Sequence, residues 1–145
     1  MEGYIKFNCI WDESDIPAEI DLTEINSLRD AMVRMGGIGM LPGTEIGFGN
    51  VSRRVGDGFL ISGTQTGNIS HLSKDDFALV SSWDYGTNSL KCSGRRRASS
   101  ESLSHAAIYD ARREVEFVAH IHHNRLWRAN LWKLPTTPEH AEFGT

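Results

Sequence analysis

The chain has 145 residues, 39% of them hydrophobic and 23% charged, and a formal net charge of -4. That length and balance describe one soluble domain able to bury its own core, with no general affinity for nucleic acid. No stretch is long and apolar enough to cross a membrane, and the N-terminus lacks a basic region followed by an apolar one. The expectation is a single cytoplasmic domain over residues 1–145. Cys9 and Cys92, far apart in sequence and in apolar stretches, read as reduced packing residues.

Ile5, Phe7, Cys9 and Trp11 alternate along the first segment, which predicts a half-buried strand. An acidic loop with one proline follows. Asp21 with Glu24 three residues on resembles a capping box. Leu22, Ile25, Leu28, Met32 and Met35 then recur at helical spacing, the methionines as core, and Gly36-Gly37 ends the helix. Gly39 to Gly49 reads as a glycine-rich loop. Phe48 to Val55 and Phe59 to Ser62 read as two strands joined at Gly56-Asp57-Gly58. After a polar turn, Ser73 and Asp76 mark a brief helical turn. Phe77 to Trp83 is a third central strand, Tyr85 to Asn88 a turn, and Leu90 to Cys92 another strand.

Ser99 or Ser100 is expected to cap the next helix, which runs through Leu103, Ala106, Ala107 and Tyr109 to Ala111. Arg112-Arg113 suit its C-terminal end. A strand through His120 comes next. Asn124 opens a last helix through Leu126, Trp127, Ala129 and Trp132, ended by Pro135 and Pro138. Early antiparallel strands flanked by helices predict an α/β fold. Helices would cover both faces of a central, mainly antiparallel sheet in a three-layer α/β/α sandwich.

The stretch Phe117-Val118-Ala119-His120-Ile121-His122-His123 carries the clearest chemistry. Side chains two apart on a strand share a face, so His120 and His122 would stand side by side. Two imidazoles suit zinc, copper, iron or nickel, although a catalytic zinc site usually has three protein ligands. The plainer alternative is a polar strand end with both rings bonded to backbone. His105 shares a helix with Glu101 and is a candidate hydrogen-bond partner behind a ligand. His123 would point the other way, and His140 lies in a late loop.

Glu101 sits in the first turn of its helix, where the dipole favours a carboxylate, and is the candidate acid/base. A capping charge is the alternative. Ser99, Ser100 and the free N–H groups of that turn suit a phosphate, and Arg97 adds a cation able to grip one bidentately. The Thr66-Gly67 and Gly49-Asn50 turns offer further N–H groups to an anion. Each alone is an ordinary loop.

These pieces together resemble the class II aldolase/adducin family. They fall in that family's order: Gly49-Asn50-Val51-Ser52, Ile61 to Gly67, Ser99-Ser100-Glu101 with His105 and Tyr109, Val118 to His122, and Pro135-Thr136-Thr137-Pro138 with Glu142 to Thr145. The resemblance implies a zinc-dependent lyase, aldolase or dehydratase, acting on a phosphorylated ketose, with one Zn2+ per subunit. His120 and His122 would be two of three zinc histidines and Glu101 the acid/base. Asn50, Thr66, Gly67, Ser99 and Ser100 would hold the phosphate. A homotetramer with sites between subunits is implied as well. The third zinc histidine would fall beyond Thr145, so the expectation is either a fragment lacking its C-terminal part or a short form with an impaired metal site, in which His140 could substitute. A 4-epimerase of the same fold and a non-catalytic, adducin-like assembly module are the alternatives.

Overall fold

The computed structural model describes residues 5–130. Along them run β1 (Asn8–Asp12), α1 (Thr23–Arg34), β2 (Gly39–Met40), β3 (Gly47–Phe48), β4 (Asn50–Val55) and β5 (Gly58–Ser62). After a 3-10 turn (Lys74–Asp76) come β6 (Phe77–Asp84), β7 (Ser89–Ser93), α2 (Ser102–Ala111), β8 (Phe117–His120) and α3 (Asn124–Asn130). Six strands form one sheet in the order β1-β7-β6-β5-β4-β8, antiparallel throughout except where β1 meets β7. The expected mixed α/β class and mainly antiparallel sheet are both present.

Alternation along β5 sets the core. Phe59 and Ile61 join one buried cluster with Leu103, Ala106 and Tyr109 of α2. Leu60, between them, joins a second cluster with Val51, Phe77 and Ile25 of α1. The central strand therefore buries both faces, as a strand of continuous apolar residues should. The hairpin between β4 and β5 turns at Gly56-Asp57, since Val55 pairs with Gly58, and Gly56 takes φ +57. Positive φ is what a two-residue hairpin turn demands and glycine supplies.

Several local expectations need correction. The Asp21–Glu24 capping box does not form. Asp21 accepts from the Thr23 N–H and hydroxyl, while Glu24 pairs with Arg53 of β4 at 3.3 Å. A complete capping box is found at Ser73 and Asp76. The glycine-rich loop contains the short β2–β3 ladder. Gly39, Gly47 and Gly49 serve close packing: at Gly39 the Phe48 ring stands 3.3 Å from where a Cβ would sit. Neither Ser99 nor Ser100 is the N-cap of α2; Glu101 is, because the Ser99 carbonyl already accepts from the Ser102 N–H and hydroxyl.

The cysteines are not apart in space. Parallel pairing of β1 with β7 sets Cys9 beside Leu90 and Trp11 beside Cys92, and the two thiols lie diagonally with sulfurs 3.6 Å apart. Both are free. The hydrogen bond between them draws Cys92 down to about 7 and pushes Cys9 up. Trp132, Pro135, Pro138 and His140 lie outside the described residues.

Arg54 ties β4 to the end of α2. Its Nη2 donates to the carbonyls of Tyr109 and Arg112 at 3.0 and 3.2 Å, and its Nε to that of Val115 at 3.0 Å. The guanidinium carbon also lies 4.6 Å from the Tyr109 ring centroid. A cation on the last carbonyls of a helix satisfies acceptors that lack intrahelical partners. Arg54→Ala is expected to cost about 2 kcal/mol from lost hydrogen bonds and ring contact. Urea unfolding at unchanged slope measures it, and a loss below about 0.5 kcal/mol would show that α2 holds its end without the strap.

Candidate functional site

A cleft opens where the end of β3, the start of β4, the turn after β5, the head of α2 and the end of β8 meet. Phe48, Asn50, Thr66, Gly67, Ser99, Ser100, Glu101 and His120 all line it. The β4–β8 register seats Asn50 directly opposite His120. Gly49 makes the approach possible. It takes φ +76, and a Cβ there would stand 2.7 Å from the Gly37 carbonyl oxygen and 3.1 Å from that of His120.

Asn50 is buried, and its Oδ1 has no hydrogen-bond partner among the described residues. Turning the amide by half a rotation puts its NH2 at the same place, so the group can serve a donor or an acceptor in the cleft. The Thr66 hydroxyl donates to the Gly63 carbonyl at 2.9 Å, leaving the backbone of that turn as its source of donors. Ser99, Ser100 and Glu101 form the approach to α2. The first N–H groups of a helix carry partial positive charge and favour an anion in front of them.

Arg97 is placed elsewhere. It is exposed, it is absent from the cleft lining, and its guanidinium sits 5.1 Å from the centroid of the Trp11 ring on β1. The cation expected to grip a phosphate is held by an aromatic face instead. Only its carbonyl serves the site, accepting from the Thr64 N–H at 2.9 Å.

His120 ends β8, and the strand stops two residues before His122. Beyond it, the His122 N–H donates to the Gly37 carbonyl at 2.9 Å. The two imidazole centroids lie 4.9 Å apart, and Phe48 stacks on His122 at 5.2 Å. Phe48 was not singled out by sequence, since an aromatic before a glycine reads as core. His123 accepts from the Leu126 N–H through Nδ1 at 3.2 Å and so caps α3. Among the described residues no group of three or more His, Cys, Asp and Glu is close enough to hold a metal ion. The adjoining imidazoles fit two of the nitrogen positions of a zinc site, and the described residues supply no third.

The sequence profile of the Class II Aldolase and Adducin N-terminal domain matches residues 30–144. The chain belongs to the class II aldolase and adducin family. No curated protein and no solved structure gives a significant match. Class II aldolases are generally lyases, while adducin members of the family are not enzymes.

Behind the cleft of this class II aldolase-like domain lies a buried polar relay. The Ser52 hydroxyl on β4 bonds His105 Nδ1 at 2.7 Å and the Tyr109 hydroxyl at 2.8 Å, both on α2. His105 is 1% exposed, and its Nε2 has no partner among the described residues. Burial, with repulsion from His120 second, pushes its pKa down to about 3, so the imidazole is neutral at ordinary pH. Helical spacing of His105 and Tyr109 marks them as one face of α2, but the serine that joins them comes from a distant strand.

The folded value lies below the 6.5 of an unperturbed imidazole. Between about 6.5 and about 3 the unfolded chain binds a proton that the native chain refuses, so acid destabilises the fold. The contribution is at most about 1.4 kcal/mol per pH unit for one proton. His105→Gln is expected to flatten the pH dependence of unfolding free energy by that slope. Parallel curves for the two proteins would assign the proton linkage to other groups.

Proposed function

We propose that the chain is a zinc-dependent lyase, an aldolase or dehydratase, acting on a phosphorylated ketose. The observation that carries the proposal is the meeting of His120, the Glu101 carboxylate and the head of α2 in one cleft, with the His122 ring outside its lining but 4.9 Å from that of His120. His120 and His122 would hold the metal, one Zn2+ per subunit. Zinc, when bound there, supplies Lewis acidity toward a substrate carbonyl. Glu101, at the head of α2 in the same cleft, would move the proton: in dehydration from the carbon beside that carbonyl to the departing hydroxyl, and in aldol cleavage from the hydroxyl of the aldehyde fragment to the carbon freed when the carbon–carbon bond breaks. Ser99, Ser100, Asn50 and the Thr66-Gly67 backbone hold the phosphate and so fix where the reacting carbon lies. Arg97 is left out of this set because its guanidinium lies on Trp11. Phe48 shields one face of His122 from water.

In its finer form the proposed architecture is the three-layer α/β/α sandwich, and the proposed setting is a cytoplasmic homo-oligomer, a tetramer by family resemblance. The second reading is an adducin-like assembly module. It is favoured by the absence of a third metal ligand among the described residues. A 4-epimerase would yield one isomeric product from a ketose phosphate, whereas an aldolase yields two fragments.

Glu101→Gln is expected to lower turnover of a ketose phosphate by about 10²–10⁴-fold, the usual worth of a positioned acid/base, while the metal stays bound. Full activity in that variant would remove Glu101 from the proton-transfer role. His122→Ala is expected to lose zinc, read by metal analysis of protein purified without chelators. Unchanged metal content would remove His122 from the ligand set.

A further inference from the structure

Arg29 on α1 is 1% exposed and ranks first by size among the fully buried side chains. Its Nη2 donates to the carbonyl of Thr66 at 2.9 Å and to that of Ile69 at 2.7 Å. Nη1 has no hydrogen-bond partner among the described residues. No carboxylate among them forms an ion pair with it. Asp76, one of its two charged neighbours, is already engaged by Arg96 and by the Ser73 N–H and hydroxyl. A guanidinium keeps its charge in proteins, and a buried charge is costly unless something offsets it. Two carbonyl dipoles offset part of it here.

The bonded carbonyl is the informative one. The Thr66 C=O also accepts from the Ile69 N–H at 3.1 Å, so two donors fix its direction. The peptide to Gly67 is trans, and across a planar trans unit C=O and N–H point opposite ways. Holding the carbonyl toward α1 therefore turns the Gly67 N–H away from α1, on the side where Gly67 lines the cleft with Ser99 and Ser100. Nothing can replace this glycine, since a Cβ would stand 2.1 Å from the Gly39 carbonyl oxygen.

We propose that Arg29 is a positioning residue of the anion subsite. It locks the Thr66–Gly67 peptide with its N–H toward the cleft and places, one peptide unit behind, a positive charge that a bound phosphate balances. The polarised peptide carries part of that charge forward, as hydrogen bonds in series strengthen one another. The inference rests on the phosphate-binding reading of the cleft given above.

The test uses the whole chain with inorganic phosphate as the probe, titrated by calorimetry. Wild type, Arg29→Met, Arg29→Lys and the double change Ser99→Ala with Ser100→Ala are compared, with folding checked by circular dichroism. The serine pair is expected to weaken phosphate binding at least tenfold. Arg29→Met is expected to weaken it as much, and Arg29→Lys less, since an ammonium keeps the charge without the planar fork that reaches two carbonyls. A purely structural arginine would leave phosphate affinity unchanged in any variant that folds. Wild-type affinity in folded Arg29→Met, or in folded Arg29→Lys should the methionine variant not fold, overturns the role of Arg29 alone. No phosphate binding by wild type, or binding indifferent to the serines, overturns the cleft reading and this inference with it.

Discussion

The pairing of β4 with β8 is the constraint on which the rest of the site depends. Its register sets Asn50 against His120 and Ser52 against Val118. From that one ladder, Asn50 lines the cleft beside His120. Two residues on and on the same face, Ser52 reaches α2 and ties down His105 and Tyr109. Arg54, two further, straps the end of the same helix. Alternation along β4 thus positions the helix whose head carries Ser99, Ser100 and Glu101. A slip of one residue would reverse every one of these side chains at once.

Most of this was legible where the signal is local. The apolar run from Phe59 to Ser62, the turn at Gly56-Asp57 and the His120–His122 spacing each follow from neighbours in sequence. What sequence did not show is nonlocal. The parallel contact of β1 with β7 joins Cys9 to Cys92 and carries Trp11 toward Arg97, and nothing along the chain announces that pairing. Arg97 was read as a phosphate cation because it precedes two serines, yet an aromatic face from the far edge of the sheet holds it. Arg29 lies outside the apolar series Leu22, Ile25, Leu28, Met32 and Met35, so nothing in that pattern marks it for burial. Its burial depends on the Thr66–Ile69 turn folding over α1. Glycines 39 and 47 read as loop residues because close packing and loop freedom select the same residue.

Two features beside the cleft suit an anion, the N–H groups at the head of α2 and the Thr66–Gly67 peptide backed by a buried guanidinium, while the Glu101 carboxylate in the lining opposes one. Family membership alone does not choose between enzyme and scaffold, because one fold can keep its shape without its chemistry. The local arrangement weighs toward catalysis. An assembly surface has no need of a carboxylate and an imidazole in one cleft with a second imidazole 4.9 Å from the first.

The most direct test of the central claim is anomalous diffraction at the zinc edge, from crystals of the chain grown with zinc and inorganic phosphate. The account predicts one peak beside the His120 and His122 rings, with phosphate density against Ser99, Ser100 and the Gly67 N–H. Zinc bound elsewhere, or phosphate seated away from that turn, would contradict it.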